Sequence, residues 1–235
     1  MGRKSYYCII DSETTIKGTI ADFGAVVVDR RGAVVDSLAG MVSGHFGVFP
    51  LFFSEAAAGW GKAAAVEREA MYNAMLCDGR RSMISVAGVN RWIVAAAAKY
   101  GAELTAYNLA FDVGTCGATG IDLSPFPSRF CLWQAAAYNI AQRKAYRQFC
   151  LDNHLFGNRT KTGALTYQTK AETVASFLGG AMISEPHTAI EDCLIERDIL
   201  TALLKIRGWR QNVKPYNYRN FQARDGFAAK CEAMP

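Results

Sequence analysis

The chain contains no apolar run near the roughly 18 residues that a membrane-crossing helix needs, which argues against a membrane partner. No secretory leader is expected either. Met1-Gly2-Arg3-Lys4 is basic, but the apolar stretch behind it meets Asp11 too soon. The same start fits the myristoylation pattern poorly. None of the seven cysteines pair as Cys-x-x-Cys, and their number is odd. Free thiols in a reducing cytoplasm follow, with no zinc site. Only three histidines occur, so imidazole chemistry has few candidates. No internal repeat is present.

Outside the C-terminus the chain also lacks excess charge. From Lys205 onward there are seven basic residues and two acidic ones, which accounts for the whole net charge of +5. Elsewhere 19 basic residues balance 19 acidic ones. The basic stretch also carries Trp209, Tyr216, Tyr218 and Phe221. Basic groups with interleaved aromatics suit single-stranded nucleic acid, through phosphate attraction and base stacking. A plain extension that packs its aromatics on the domain reads the same stretch equally well. At 235 residues one domain suffices. The expected division is a domain over 1–206 and a basic, aromatic extension over 207–235.

Three strands are expected first, at about 5–13, 18–30 and 33–43, with Arg30-Arg31-Gly32 as a turn. Phe46, Phe49, Phe52 and Phe53 cluster around Pro50, as core, as a helix lead-in or as a groove-lining loop. Helices are expected at about 64–76, 83–100, 109–118, 133–152, 169–178 and 188–206. Short strands are expected at 103–107 and 128–132. Residues 153–168 read as a mobile loop in which Arg159 and Lys161 could meet phosphate. A meander followed by α/β alternation gives an α/β fold, a mixed five-stranded sheet flanked by helices.

Three short segments carry the chemistry. Tyr6-Tyr7-Cys8-Ile9-Ile10 is apolar at both parities, as in a central strand buried on both faces. Asp11 and Glu13 follow it, two apart and therefore on one face. Two adjacent anions are costly without a partner, and a divalent cation removes that cost. A solvated strand end with a chance Asp-x-Glu is the plainer alternative. In Pro186-His187-Thr188-Ala189-Ile190-Glu191-Asp192, Thr188 and Glu191 have capping-box spacing. Inside one ideal helix His187 and Asp192 would diverge by roughly 140°. With Thr188 as N-cap they occupy the two staple positions and meet. A surface histidine before an ordinary helix is the alternative. In Asn108-Leu109-Ala110-Phe111-Asp112, Asn108 reads as an N-cap, with Asp112 in the first turn. A solvent-facing helical aspartate explains that segment as well.

Together these segments resemble the DEDDh, or DnaQ-like, exonuclease family of the ribonuclease H-like fold. Asp11-x-Glu13-Thr14 looks like its first motif, Asn108-x-x-x-Asp112 its second and His187-x-x-x-x-Asp192 its third, in the family's chain order. Ile20 to Asp29 is similar to its second strand. The resemblance covers roughly residues 5–205. It departs where Ile16-Lys17 precede Gly18.

The resemblance implies a ribonuclease H-like fold and a metal-dependent 3′-to-5′ exonuclease that releases nucleoside monophosphates. It implies two divalent ions, Mg²⁺ or Mn²⁺, held by Asp11, Glu13, Asp112 and Asp192, with His187 as general base. Thr14 inherits contact with the terminal nucleotide. Asn108 shapes the site. The expected partner is a nucleic-acid 3′ end, single-stranded DNA first and RNA as the alternative. RNA trimming, oligoribonuclease-like degradation and a silent binding module remain competing functions. A polymerase partner or a homodimer is left open.

Overall fold

The computed structural model describes residues 5–52, 61–157, 159–160 and 163–223, without the side chains of 61–65. The expectations for Phe53, Lys161 and residues 224–235 lie outside them. The chain begins with a meander of β1 (Tyr6–Thr14), β2 (Ile20–Asp29) and β3 (Val34–Val42). Then come α1 (Gly61–Cys77), β4 (Met83–Ile84), α2 (Val86–Tyr100), β5 (Glu103–Ala106), α3 (Leu109–Thr119) and β6 (Arg129–Cys131). Four helices follow: α4 (Leu132–Ala136), α5 (Lys144–Asp152), α6 (Ala171–Gly179) and α7 (Ala189–Leu204).

The strands form one mixed sheet in the order β4-β3-β2-β1-β5-β6. β1, β2 and β3 pair antiparallel, while β5 joins β1 and β6 joins β5 in parallel. The arrangement is α/β and ribonuclease H-like. Helices cover both faces, so the central strands are apolar at both parities. Tyr7, Ile9, Val26 and Val28 share one core with Cys193, Ile199 and Leu200 of α7. Cys8, Ile10, Ile20 and Val27 share the opposite core with Val89 and Ile93 of α2 and Leu109 and Cys116 of α3.

The sheet has six strands where the sequence suggests five. The sixth, β4, is two residues long and pairs parallel with the end of β3. It is too short to show a period, and the expected helix from 83 absorbs it. That helix starts instead at Val86, where the Ser85 hydroxyl accepts the Gly88 N–H.

The expected helix over 133–152 is broken. After α4 a wide π-helical turn spans Ala137–Ala141, and Arg143 is extended before α5 begins. Asn139 occupies the break. Its amide donates to the carbonyls of Ala135 and Trp209. In the segment expected to be a mobile loop, Leu165 and Tyr167 bond through the main chain to the C-terminal segment. Tyr167 N–H donates to Phe221 O, and Ala223 N–H to Leu165 O.

The segment after α7 packs its aromatics on the domain. Trp209 lies 5.0 Å from Phe130 between ring centres, and Phe221 is fully buried. Of the phenylalanines around Pro50, Phe46 packs edge-on against Tyr72 of α1, while Phe52 is exposed. Among the described residues no helix is long and apolar enough to cross a membrane, and all six cysteines are unpaired.

Gly24 sets the distance between sheet and helix. A Cβ built there would lie 2.4 Å from the main-chain carbon of Ala189, at the start of α7. Backbone cannot yield as a flexible side chain can, so any side chain pushes α7 off the sheet. Gly24→Ala is therefore expected to destabilise the fold by about 1–3 kcal/mol, the usual range for overpacking. Urea titration of the two proteins measures this. An unchanged midpoint would contradict the close contact.

Candidate metal centre

β1 lies between β2 and β5, so its C-terminal end sits in the middle of the sheet. Odd-numbered β1 residues face α7, as Tyr7 and Ile9 do. Asp11 and Glu13 continue that parity, and the structure sets both under the start of α7. Across the ladder, Asp11 is paired with Gly24 and Glu13 with Asp22. Directly opposed residues share a face. These four positions thus form one floor, and α7 starts on top of it.

The helix is held there by the sheet rather than by its own capping box. Thr188 is extended but makes no side-chain cap. Its hydroxyl donates to Glu191 Oε2 at 2.7 Å, and Glu191 also pairs with Arg81. The expected reciprocal box is thereby replaced. Asp22 accepts the Ala189 N–H at 3.0 Å and serves as the cap from β2. His187 stands just before, with a left-handed backbone (φ 55°). Its carbonyl accepts the Tyr72 hydroxyl of α1 at 3.2 Å. That turn brings the imidazole back over Asp192. Ligand atoms of Glu13, His187 and Asp192 all lie within 4.8 Å of one another.

Asp112 arrives from the other face of the sheet. Its Oδ1 accepts the Ser12 hydroxyl at 2.9 Å, and Thr115 of α3 lies 3.2 Å from the same hydroxyl. Asp112 is only 2% exposed, so it is not the solvated aspartate that the segment alone allows. Asn108 differs from expectation. Its backbone is left-handed (φ 77°) and its side chain makes no cap. Asparagine tolerates that region better than most residues. Thr14 is buried, and its carbonyl accepts the Phe52 N–H.

Further groups join the predicted ones. Glu196 sits one turn beyond Asp192 on α7 and is 3% exposed. It accepts the Tyr107 N–H at 3.0 Å, tying α7 to the loop that carries Asn108. Arg68 of α1 forms an ion pair with Glu13 at 3.3 Å. Sequence signals existed for two of these. Glu196 follows Asp192 at the i+4 spacing of a helix face, and Asp22 is an acid inside an apolar strand run. Nothing local marks Arg68 or Tyr72, which reach the site from α1.

The cluster is strongly frustrated as protein alone. Burial, then repulsion from Asp112, Glu196, Glu13 and Asp192, pushes the Asp11 carboxyl far above its usual range. Burial also raises Glu13 to about 8, although Arg68 opposes it. Asp112 rises to about 7 by burial, against the Ser12 hydrogen bond. Asp192 rises to about 8 by burial, then by Glu185 and Glu13. Among the described residues, Asp192 Oδ1 is a buried carboxylate oxygen without a hydrogen-bond partner. Such an atom calls for an explanation. A cation against Glu13, His187 and Asp192 supplies one, so the residues present fit a metal ion.

The sign of the pH effect follows. Folded Glu13, Asp112 and Asp192 hold protons that the unfolded chain, with carboxyl values near about 4, releases. The contribution of these three groups to metal-free stability is then fully present below about pH 4 and is lost as pH rises through the folded values, 7 to 8. In EDTA, the melting temperature is expected to fall between pH 5 and about 8. Mn²⁺ should raise it most at the alkaline end. Asp192→Asn should raise the metal-free value at about pH 8 and abolish most of the Mn²⁺ effect. Differential scanning calorimetry reads all three, and a metal-free melting temperature that rises with pH would refute the assignment. A scan against protein-family models finds none that matches this chain, and a search of curated proteins finds no matching relative.

Proposed function

We propose that the chain is a metal-dependent 3′-to-5′ exonuclease of the DEDDh type, acting first on single-stranded DNA. The observation that carries this reading is the meeting of three distant segments at the end of one central strand. Asp11 and Glu13 come from β1, Asp112 from α3 and Asp192 from α7, with His187 within 4.8 Å of Glu13 and Asp192. Four acids, two buried and two half-buried, with one exposed imidazole beside them, are the parts that phosphodiester hydrolysis needs. A cytoplasmic setting suits the unpaired cysteines.

Asp11, Glu13 and Asp192 would hold one divalent ion, Mg²⁺ or Mn²⁺, and Asp11 with Asp112 a second. The chemistry such a pair supplies is a water of lowered pKa and stabilisation of the leaving oxyanion. The reaction forms a bond from water oxygen to phosphorus and breaks the bond from phosphorus to the 3′ oxygen, which takes up a proton. His187 accepts the proton of the attacking water at a ring nitrogen. Imidazole is the side chain best suited to act as a base near neutral pH. The left-handed turn and the Tyr72 bond to its carbonyl hold the main chain from which the imidazole projects. Arg68 offers positive charge beside Glu13, where the substrate phosphate would arrive. Asn108, exposed at the start of α3, is available to the terminal nucleotide.

The same 4.8 Å grouping favours a second role for His187, as a metal ligand. The two roles separate experimentally. Loss of a base removes the acidic limb of the pH–rate profile and leaves metal affinity unchanged. Loss of a ligand weakens the metal requirement itself.

The test uses 5′-labelled single-stranded DNA, matched RNA and duplex DNA with Mg²⁺, Mn²⁺ or EDTA. A ladder that shortens from the 3′ end only with metal is the expected result. Asp11→Ala and Asp192→Asn should abolish it while circular dichroism stays unchanged. His187→Ala should slow it by about 10²–10⁴-fold. Absence of product from folded protein with every metal would overturn the reading.

A further inference from the structure

Beside the carboxylate cluster, the C-terminal segment completes a second feature. A cavity of about 940 Å³ lies against the β5–α3 turn, where Tyr107 and Asn108 line it. That turn leads into the helix carrying Asp112, so the cavity neighbours the candidate site along the chain. Its far wall is Tyr216 and Tyr218, from the segment beyond α7. Trp133 of α4, Phe156 and Tyr167 make up the remaining aromatic surface.

The rings are arranged as ladders rather than as an interlocked core. Trp133 stacks on Tyr216 with centroids 4.4 Å apart, and Tyr216 stacks on Phe221 at 4.7 Å. On the neighbouring wall Phe156 stacks on Tyr167. Ring edges are pinned by hydrogen bonds. Trp133 Nε1 donates to Thr169 Oγ1 at 3.0 Å, and the Tyr107 hydroxyl to Thr169 O at 2.6 Å. Pinned rings lose little further freedom on binding.

Among the described residues the charge of the lining has one sign: Arg159 and Lys170 line the cavity, and no carboxylate does. Arg159 donates to Gly163 O, and Lys170 pairs at 3.5 Å with Glu172 outside the lining. Flat π faces with cations on the rim match a chain of unpaired bases joined by phosphates. A peptide would need apolar side-chain pockets or an open strand edge, and this cavity is lined by pinned aromatic rings, hydroxyls and cations.

We propose that this cavity is a base-stacking site for the single strand upstream of its 3′ end. It holds unpaired nucleotides while the terminal residue reaches the carboxylate cluster. The orientation of the strand rests on the exonuclease reading, but the stacking itself does not.

The test measures binding by the full-length protein in EDTA, where no turnover occurs. The probes are fluorescent oligothymidylate, oligouridylate and an abasic strand of equal length. Base-bearing strands should bind at least about tenfold more tightly than the abasic one. Tyr218→Ala and Trp133→Leu should each remove about tenfold, and Tyr218→Phe should restore it. Tyr218 is 44% exposed, so its replacement leaves the core intact. Arg159→Ala with Lys170→Ala should flatten the dependence of log affinity on log salt by about 0.7 per phosphate contact. The two homopolymers rank DNA against RNA. Equal binding of abasic and base-bearing strands, or indifference to Tyr218→Ala and Trp133→Leu together, overturns the proposal. Cleavage is read separately with Mn²⁺. Base-dependent binding without cleavage keeps the cavity and sinks the exonuclease, whereas cleavage with indifferent cavity variants does the reverse.

Discussion

The seating of the α7 N-terminus on β2 is the contact on which the site depends. Gly24 supplies the space, because any Cβ there would collide with the main chain of Ala189. Asp22, two residues earlier on the same face, supplies the bond that holds the first free N–H of the helix. A helix N-terminus carries partial positive charge and favours an anion beside it. Here the anion belongs to the neighbouring sheet. The result is a helix whose first turn is registered against the strand opposite Asp11 and Glu13. His187 and Asp192 reach the same point only because that register is held.

The acids so gathered repel one another. Asp11 and Glu196 are driven well above the ordinary carboxyl range, and burial is the largest cause for each. A protein selected for stability alone would not assemble them. Functional sites collect such perturbed groups. Arg68 partly offsets the charge at Glu13, and Ser12 does so at Asp112. Neither provides a partner for Asp192 Oδ1. The uncompensated remainder is what a bound cation would relieve.

For the segment beyond α7, sequence reading treats packing on the domain and contact with nucleic acid as rivals. Its aromatics do pack on the domain, with Trp209 and Phe221 buried. Packing them also raises Tyr216 and Tyr218 as the wall of a cavity next to the β5–α3 turn. Phe221 backs Tyr216 by stacking, so the buried ring supports the one that lines the cavity. The π-helical turn after α4 belongs to the same assembly. Asn139 spends its amide on Trp209 O, and this closes the gap between α4 and the C-terminal segment.

The strong local periods were legible in the sequence. The doubly apolar run of β1, its central position, the meander and the starts of α3 and α7 all follow from patterns within a few residues. So does the parity that sets Asp11 beside Glu13, because a strand alternates whatever surrounds it. Elements without a local period were not legible. β4 is two residues long, and the break after Ala136 is stabilised by Asn139 reaching a carbonyl 70 positions away. Both predicted side-chain caps, at Asn108 and Thr188, were displaced by tertiary partners or backbone geometry. Glu196 and Asp22 carried weak signals, whereas Arg68 and Tyr72 carried none. The sequence by itself thus determined which residue types could do the chemistry and which faces they occupy. Only the tertiary structure decided that they meet. Meeting depends on the clearance at Gly24 and the cap from Asp22, and both are contacts between segments more than 160 positions apart.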